Sequence, residues 1–245
     1  MRHASFRFYA ELNDFLPPSR RGASFGYAFQ LPAAAKDLIE AIGIPHTEID
    51  LLLINNRTAS FADVVNDGDR IAAFPFFHSL DVSRDSLVQP PPLDSIRFVL
   101  DIHLGRLAAY LRMAGFDALY PNDYRDEEIA AISAHEHRVL LTSDRGLLKR
   151  STVTYGYYVR SREPRRQLHE VMRRYELLDR TAPFTRCLEC NAQLIPAAKQ
   201  EVWELLPPKT RELHTHFLSC SQCGRVFWKG SHYERMQKLL DSVAR

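Results

Sequence analysis

The sequence predicts a mixed α/β protein in three parts, and three observations carry that prediction. Near the N-terminus apolar side chains recur at every second residue, interrupted by one helical stretch. From Ile96 the pattern changes to short apolar runs alternating with helical ones, as a parallel sheet with flanking helices requires. All four cysteines then fall in two Cys-x-x-Cys pairs between Cys187 and Cys223. With 245 residues the chain exceeds one average domain.

In the first part, Phe6, Phe8 and Ala10 alternate with Ser5, Arg7 and Tyr9, which predicts a strand. Leu12 to Pro18 reads as a turn or loop. Phe25, Tyr27 and Phe29 share one face of a second strand. Ala33 to Ile42 has helical propensity and spacing, and Gly43 and Pro45 end it. Ile49 to Ile54 predicts a strand and Asn55-Asn56 a turn. Val64-Val65 follows, and Asn66-Asp67-Gly68-Asp69 turns the chain into a strand from Arg70 to Phe74. The order β-β-α-β-β suggests a β-grasp domain over residues 1–80. Residues 81–94, with Pro90-Pro91-Pro92, read as a stiff linker outside either core.

In the second part, residues 95–180, Phe98-Val99-Leu100 is a buried strand ending at Asp101. Leu104, Leu107, Ala108 and Leu111 mark one helical face, with Gly115 suited to its C-terminal end. Phe116 to Tyr120 is a short strand, and Asp126 suits the N-cap of the helix from Glu127. Val139 to Thr142 is a central strand followed by Asp144 and a short helix, Arg145 to Arg150. Val153 to Val159 is a further strand. A basic helix carrying Leu168, Val171, Met172 and Tyr175 closes the part.

Strand ends that carry carboxylates are notable because sites in open α/β sheets lie just beyond the carboxyl ends of strands. Asp101 and Asp144 both occupy such positions, with Asp126 or Asp123 available at a helix start. Clustered carboxylates hold the Mg²⁺ or Mn²⁺ that phosphodiester hydrolysis uses. The competing reading is that each is a turn residue or helix cap, and on pattern alone the two stand level. His103 reads as an ordinary polar residue or a general base.

The two Cys-x-x-Cys knuckles are 29 residues apart, a spacing that closes a four-thiolate Zn²⁺ shell from Cys187, Cys190, Cys220 and Cys223. Such a shell has no open position, so the expected role is structural. His214 and His216 are alternative ligands. Clustered thiols with no signal-peptide pattern suggest a reducing, cytoplasmic setting, and no apolar run reaches the ~18 residues of a membrane span.

Net charge is +2, unevenly spread. Residues 1–92 hold 8 Lys and Arg against 11 Asp and Glu, a net −3; residues 93–245 hold 24 against 19, a net +5. The basic excess around Arg160, Arg162, Arg165, Arg166, Arg173 and Arg174 suits a phosphate backbone or a solvated helix face equally.

Leu51 to Asn55, followed by Val65 to Pro75, resembles the ubiquitin-like sulfur carriers of thiamine and molybdopterin synthesis. Those carriers end in a free Gly-Gly, whereas Phe76-Phe77-His78-Ser79 continues here, so the domain is expected to bind or scaffold. A protein partner for it is the corresponding expectation.

Asp101 to Ala108, Tyr110 to Asp117 and Leu140 to Leu148 are similar to motifs of the Mut-seven C-terminal RNase domain, a PIN-like fold. The likeness runs through Tyr155 to Arg160 into the cysteine region, roughly residues 95–235. It implies a metal-dependent nuclease with Asp101, Asp126 and Asp144 as catalytic Mg²⁺ or Mn²⁺ ligands. Asp126 is preferred to Asp123 because it directly precedes Glu127-Glu128-Ile129. RNA is the implied partner, contacted by Arg106, Arg145, Arg160, Arg165 and Arg166. Where PIN nucleases often carry a fourth acid, Val159 is followed by Arg160-Ser161-Arg162 and then Glu163. That departure keeps a rival open, a non-catalytic RNA-binding or ribosome-associated adaptor.

Overall fold

The computed structural model describes residues 1–120 and 123–243. In chain order the main elements are β1 Arg2–Phe8, β2 Phe25–Phe29, β3 Ala33–Ala34, α1 Ala35–Ile42, β4 Leu51–Ile54, β5 Arg57–Thr58, β6 Val64–Val65 and β7 Arg70–Phe74. Then come β8 Phe98–Leu100, α2 Gly105–Met113, β9 Ala118–Leu119, α3 Asp126–Glu136, β10 Val139–Thr142, α4 Arg145–Leu148, β11 Gly156–Tyr158 and α5 Pro164–Arg174. Last are β12 Leu194–Ala197, α6 Lys199–Val202, α7 Pro208–Leu213, β13 Phe217–Cys220, β14 Val226–Trp228 and α8 Ser231–Val243. The α/β class with parallel strands, flanking helices and a β-grasp domain in front is the one expected. By packing, the chain divides into two units, Met1–Asp94 with Arg125–Tyr158, and Ser95–Tyr124 with Val159–Arg245.

In the first unit a five-stranded sheet has the order β2-β1-β7-β4-β5. β1 runs antiparallel to β2 and parallel to β7, and β4 runs antiparallel to β7. The alternation of β1 turns Ala4, Phe6 and Phe8 inward, where they meet Leu38 and Ile39 of α1, Leu52 of β4 and Ile71 of β7. Asn55 and Asn56 both have positive φ (53° and 65°), the conformation of a two-residue hairpin, and they join β4 to β5. The turn expected at Leu12–Pro18 is instead largely a 3-10 helix, Ala10–Phe15, because Leu12 and Phe15 have apolar contacts to gain in the core.

The linker does not stand clear of the core. Val88 is 8% exposed and belongs to the first unit's apolar cluster. The Ser86 hydroxyl donates to the Asp50 carbonyl at 2.7 Å, and the Gln89 amide donates to the Asp50 carboxylate at 2.6 Å. Proline stiffness says nothing about these flanking contacts, which hold the segment down.

The same unit contains β10 and β11, parallel, with Leu141 opposite Tyr157. His46 is held there, its Nδ1 2.7 Å from Glu40 Oε1 and its Nε2 2.9 Å from the Val153 carbonyl. Both partners are acceptors and favour the charged ring. Burial, the largest influence, and the charge of Lys36 outweigh them and hold the pKa below 6.5. Below that pH the unfolded chain therefore binds this proton more readily than the native one, so stability is complete above 6.5 and falls as pH drops. The denaturation midpoint of the full chain is expected to fall between about pH 7 and about pH 5, less so in His46→Gln. Equal slopes in the two proteins would refute this assignment.

In the second unit β8 and β9 pair in parallel, with Phe98 opposite Ala118. The α2 face predicted by spacing is the buried one: Leu104, Leu107, Ala108 and Leu111 are at most 2% exposed. Gly115 has φ +97°, and a Cβ there would lie 2.2 Å from the Ala182 carbonyl oxygen. Gly115→Ala is therefore expected to cost about 3 kcal/mol or more, from backbone strain plus the clash. A shift of the denaturation midpoint smaller than that of an ordinary surface substitution would contradict it. β12, β13 and β14 form an antiparallel ribbon. Among the described residues, no helix is long and apolar enough to cross a membrane.

Candidate functional site

The candidate acids are positioned by short local devices. β10 is fully buried, and Asp144 follows it with its side chain in solvent. Its Oδ1 accepts the Gly146 N–H at 2.7 Å, so Asp144 is the N-cap of α4, and its own N–H donates to Thr142 Oγ1 at 2.9 Å. Asp101 follows β8 in the same manner. It is 4% exposed, and its Oδ1 accepts the His103 N–H at 2.8 Å, capping a single 3-10 turn. The cap role weighed against catalysis is thus real for both residues.

Asp126 differs from its expected place. Arg125 is the N-cap, and Asp126 is the first helical residue of α3. The cap bond is made in reverse, from the Arg125 N–H to Glu128 Oε2 at 2.8 Å, so the Asp126 carboxylate is not used in capping. Three exposed acids, Asp126, Glu127 and Glu128, stand in the first turn, where the helix dipole favours negative charge. Asp123 is also exposed. Asp126 and Asp144 belong to the first unit, Asp101 and Asp123 to the second.

Glu163, the first acid after β11, is the N-cap of α5. Its two oxygens accept the N–H groups of Arg165 (3.0 Å) and Arg166 (2.8 Å), which hold its pKa below the usual carboxylate value. Glu170 accepts the N–H groups of Arg160 (2.8 Å) and Ser161 (3.0 Å). Sequence reading passed over Glu170, whose role depends on a fold-back between helix and strand end that no local pattern marks.

Of the five arginines, Arg106, Arg145, Arg165 and Arg166 are exposed, and Arg160 is half-buried. The Arg145 guanidinium is turned to the first domain: Nη1 donates to the Phe15 carbonyl at 3.1 Å, and the group lies over the Phe15 ring at 5.0 Å.

The four cysteines do come together. Their sulfur atoms all lie within 4.8 Å of one another, with Cys187 to Cys223 at 3.6 Å and Cys190 to Cys220 at 3.3 Å. A tetrahedral shell with Zn–S bonds of about 2.3 Å has sulfurs roughly 3.8 Å apart, so the thiols fit a single Zn²⁺. His214 and His216 are outside this group; His216 Nδ1 is 3.0 Å from Thr215 Oγ1.

Each knuckle turns on a left-handed residue four places after its first cysteine, Asn191 (φ 70°) and Gly224 (φ 71°), the residue types that tolerate that conformation. Burial pushes the Cys190 thiol up to about 12. For Cys220 burial also acts upward, but the Cys223 N–H and the Cys190 thiol prevail and bring it to about 6. One acidic thiol beside a reluctant one is what four sulfurs sharing protons produce, and a cation resolves it by replacing them.

Arg112, 5% exposed, ties this centre to α2 and β9. Nε donates to the Ala118 carbonyl (2.8 Å), and Nη1 donates to the Leu188 (2.9 Å) and Glu189 (2.7 Å) carbonyls of the first knuckle. Asn191 adds two bonds, accepting the Ala118 N–H and donating to Asp117. The cysteine ribbon is therefore built onto α2 and β9. Arg112 was missed by sequence reading because it stands on a helix whose other arginine is exposed.

Two family models match the chain. One, described as the Mut7-C RNAse domain, matches residues 96–240; the other, described as Mut7-C ubiquitin, matches residues 1–81. No curated protein and no solved structure matches it.

Proposed function

The chain belongs to the Mut7-C RNAse domain family, and from that premise we propose that it is a metal-dependent ribonuclease hydrolysing RNA phosphodiester bonds. The observation that carries the reading is Asp144, an exposed carboxylate at the end of a fully buried strand within the matched region. Asp101 and Asp126 are proposed to share its task. Their hard carboxylate oxygens are the donors that Mg²⁺ or Mn²⁺ prefers. Such an ion, when bound, supplies Lewis acidity toward the phosphate and lowers the pKa of a water.

The remaining work falls to side chains. The Gly146 N–H fixes the orientation of the Asp144 carboxylate. A carboxylate has about four acceptor sites, so one cap bond does not exhaust it. Arg106, Arg165 and Arg166, exposed and charged, are proposed to hold the RNA backbone, with Arg160 beside them, and that contribution weakens as salt rises. Zn²⁺ on the four thiolates is proposed to be structural.

Purified full chain with Mn²⁺ is expected to cleave single-stranded or structured RNA. A second reading, an RNA-binding adaptor without catalysis, is favoured by the capping roles of Asp101 and Asp144. RNA binding with no cleavage across a panel of RNA substrates would select it.

A further inference from the structure

α4 has four residues, too few to hold a helix by itself. It nevertheless carries Asp144 as its cap, so whatever immobilises α4 also immobilises that carboxylate. Two apolar side chains, Leu147 and Leu148, anchor its buried side. Its two ends are held by residues of the N-terminal domain.

At the start of α4, Arg145 Nη1 donates to the Phe15 carbonyl at 3.1 Å, at the close of the 3-10 helix Ala10–Phe15. Its guanidinium lies 5.0 Å from the Phe15 ring centre and 5.7 Å from that of Tyr158, and those two rings meet edge to face at 5.2 Å. At the far end, Lys149 Nζ donates to the Glu40 carbonyl at 2.6 Å, in the last turn of α1. A cation at a helix C-terminus is also favoured by the helix dipole. The strand that follows is gripped too: Glu48 Oε1 accepts the Tyr158 N–H at 2.7 Å, and the Tyr155 hydroxyl donates to the Pro91 carbonyl at 2.8 Å.

We propose that Arg145 and Lys149 are positioning residues, through which the N-terminal domain sets the α4 cap and with it the Asp144 carboxylate. This rests on the nuclease reading, since it makes the N-terminal domain part of the frame of the catalytic site. It also gives Arg145 a role other than the RNA contact expected from sequence. The guanidinium lies over both rings and gives one donor to a carbonyl while the residue as a whole stays exposed, and breaking that arrangement to meet a phosphate would loosen the residue next to Asp144.

The test compares the full chain with Arg145→Ala, Arg145→Lys and Lys149→Met, by two readouts. Hydrogen exchange without RNA is followed at residues 144–149, with the β1–β7 sheet as control. Steady-state RNA cleavage in Mn²⁺ separates kcat from KM. Exchange at 144–149 is expected to rise about tenfold or more in the Ala and Met variants, with the control amides unchanged. In the same variants kcat falls by about tenfold or more while KM stays within about twofold. Arg145→Lys, which keeps the charge, covers the case in which Arg145→Ala unfolds, and it is expected to change both quantities in the same direction by less. Unchanged exchange overturns the proposal, as does a raised KM at unchanged kcat, the mark of an RNA contact. Raised exchange in the variants, with a parent protein that cleaves no RNA, would uphold the positioning of Asp144 and reject the nuclease reading alone.

Discussion

Asp144→Asn is expected to lower Mn²⁺-supported RNA cleavage by about a thousandfold, ~4 kcal/mol of activation free energy, with the fold unchanged. The substitution separates two roles that coincide in this residue. Asn is as good an N-cap as Asp, so the bond from the Gly146 N–H at 2.7 Å persists and α4 stays in place. The negative charge that would hold a divalent cation is removed. Asp144→Ala removes both and is expected to add about 1 kcal/mol of destabilisation to the same catalytic loss. Cleavage by Asp144→Asn at the parent rate would end the nuclease proposal, because a cap alone would then explain the residue. The measurement is initial rate against Mn²⁺ concentration, with thermal unfolding of each variant as the control.

Cys220→Ser, or removal of metal by a strong chelator, is expected to unfold the ribbon. The second unit's ribbon has a small apolar core of its own: Val202, Leu206 and Phe217, flanked by Ala197, Val226 and Trp228. So small a core supplies little of the stability a domain needs. Zinc on four thiolates contributes about 10 kcal/mol or more in small peptides, and bound here would be expected to dominate the stability of this segment. Cys220 is 2% exposed, and serine in its place leaves three thiolates and a hydroxyl, a poorer shell for zinc. The loss should spread to α2 and β9, because Arg112 bonds to Leu188, Glu189 and Ala118 together. Bound zinc by elemental analysis should fall from about one equivalent to well below it, and limited proteolysis should begin within residues 185–230. A fully folded, protease-resistant variant without zinc would refute the structural role.

The elements were legible where local pattern and burial agree. Alternation located β1 and its inward Phe6 and Phe8, and three-four spacing located the buried face of α2. The two cysteine pairs named the four thiols that, among the described residues, come together within a single unit. Legibility failed where a residue's partner is distant in sequence. Val88 looked like linker because its proline neighbours are local information and its core contacts are not. The bond from Arg145 to the carbonyl of Phe15, 130 residues earlier, is equally unmarked in the sequence around Asp144. Asp126 was read as a cap, but Arg125 holds that position and Glu128 makes the bond.

By itself the sequence determined the fold class, the set of four cysteines and the strand-end places of Asp101 and Asp144, because period, spacing and residue chemistry are properties of short stretches; the preference for Asp126 over Asp123 came from the family resemblance. The tertiary structure decided that Asp101 and Asp144 both cap the turns that follow them, that Arg112 joins the first knuckle to α2, and that α4 is held from Phe15 and Glu40. These are hydrogen bonds whose donor and acceptor are paired by chain folding. An N–H or a guanidinium carries no mark in the sequence of the oxygen it will meet.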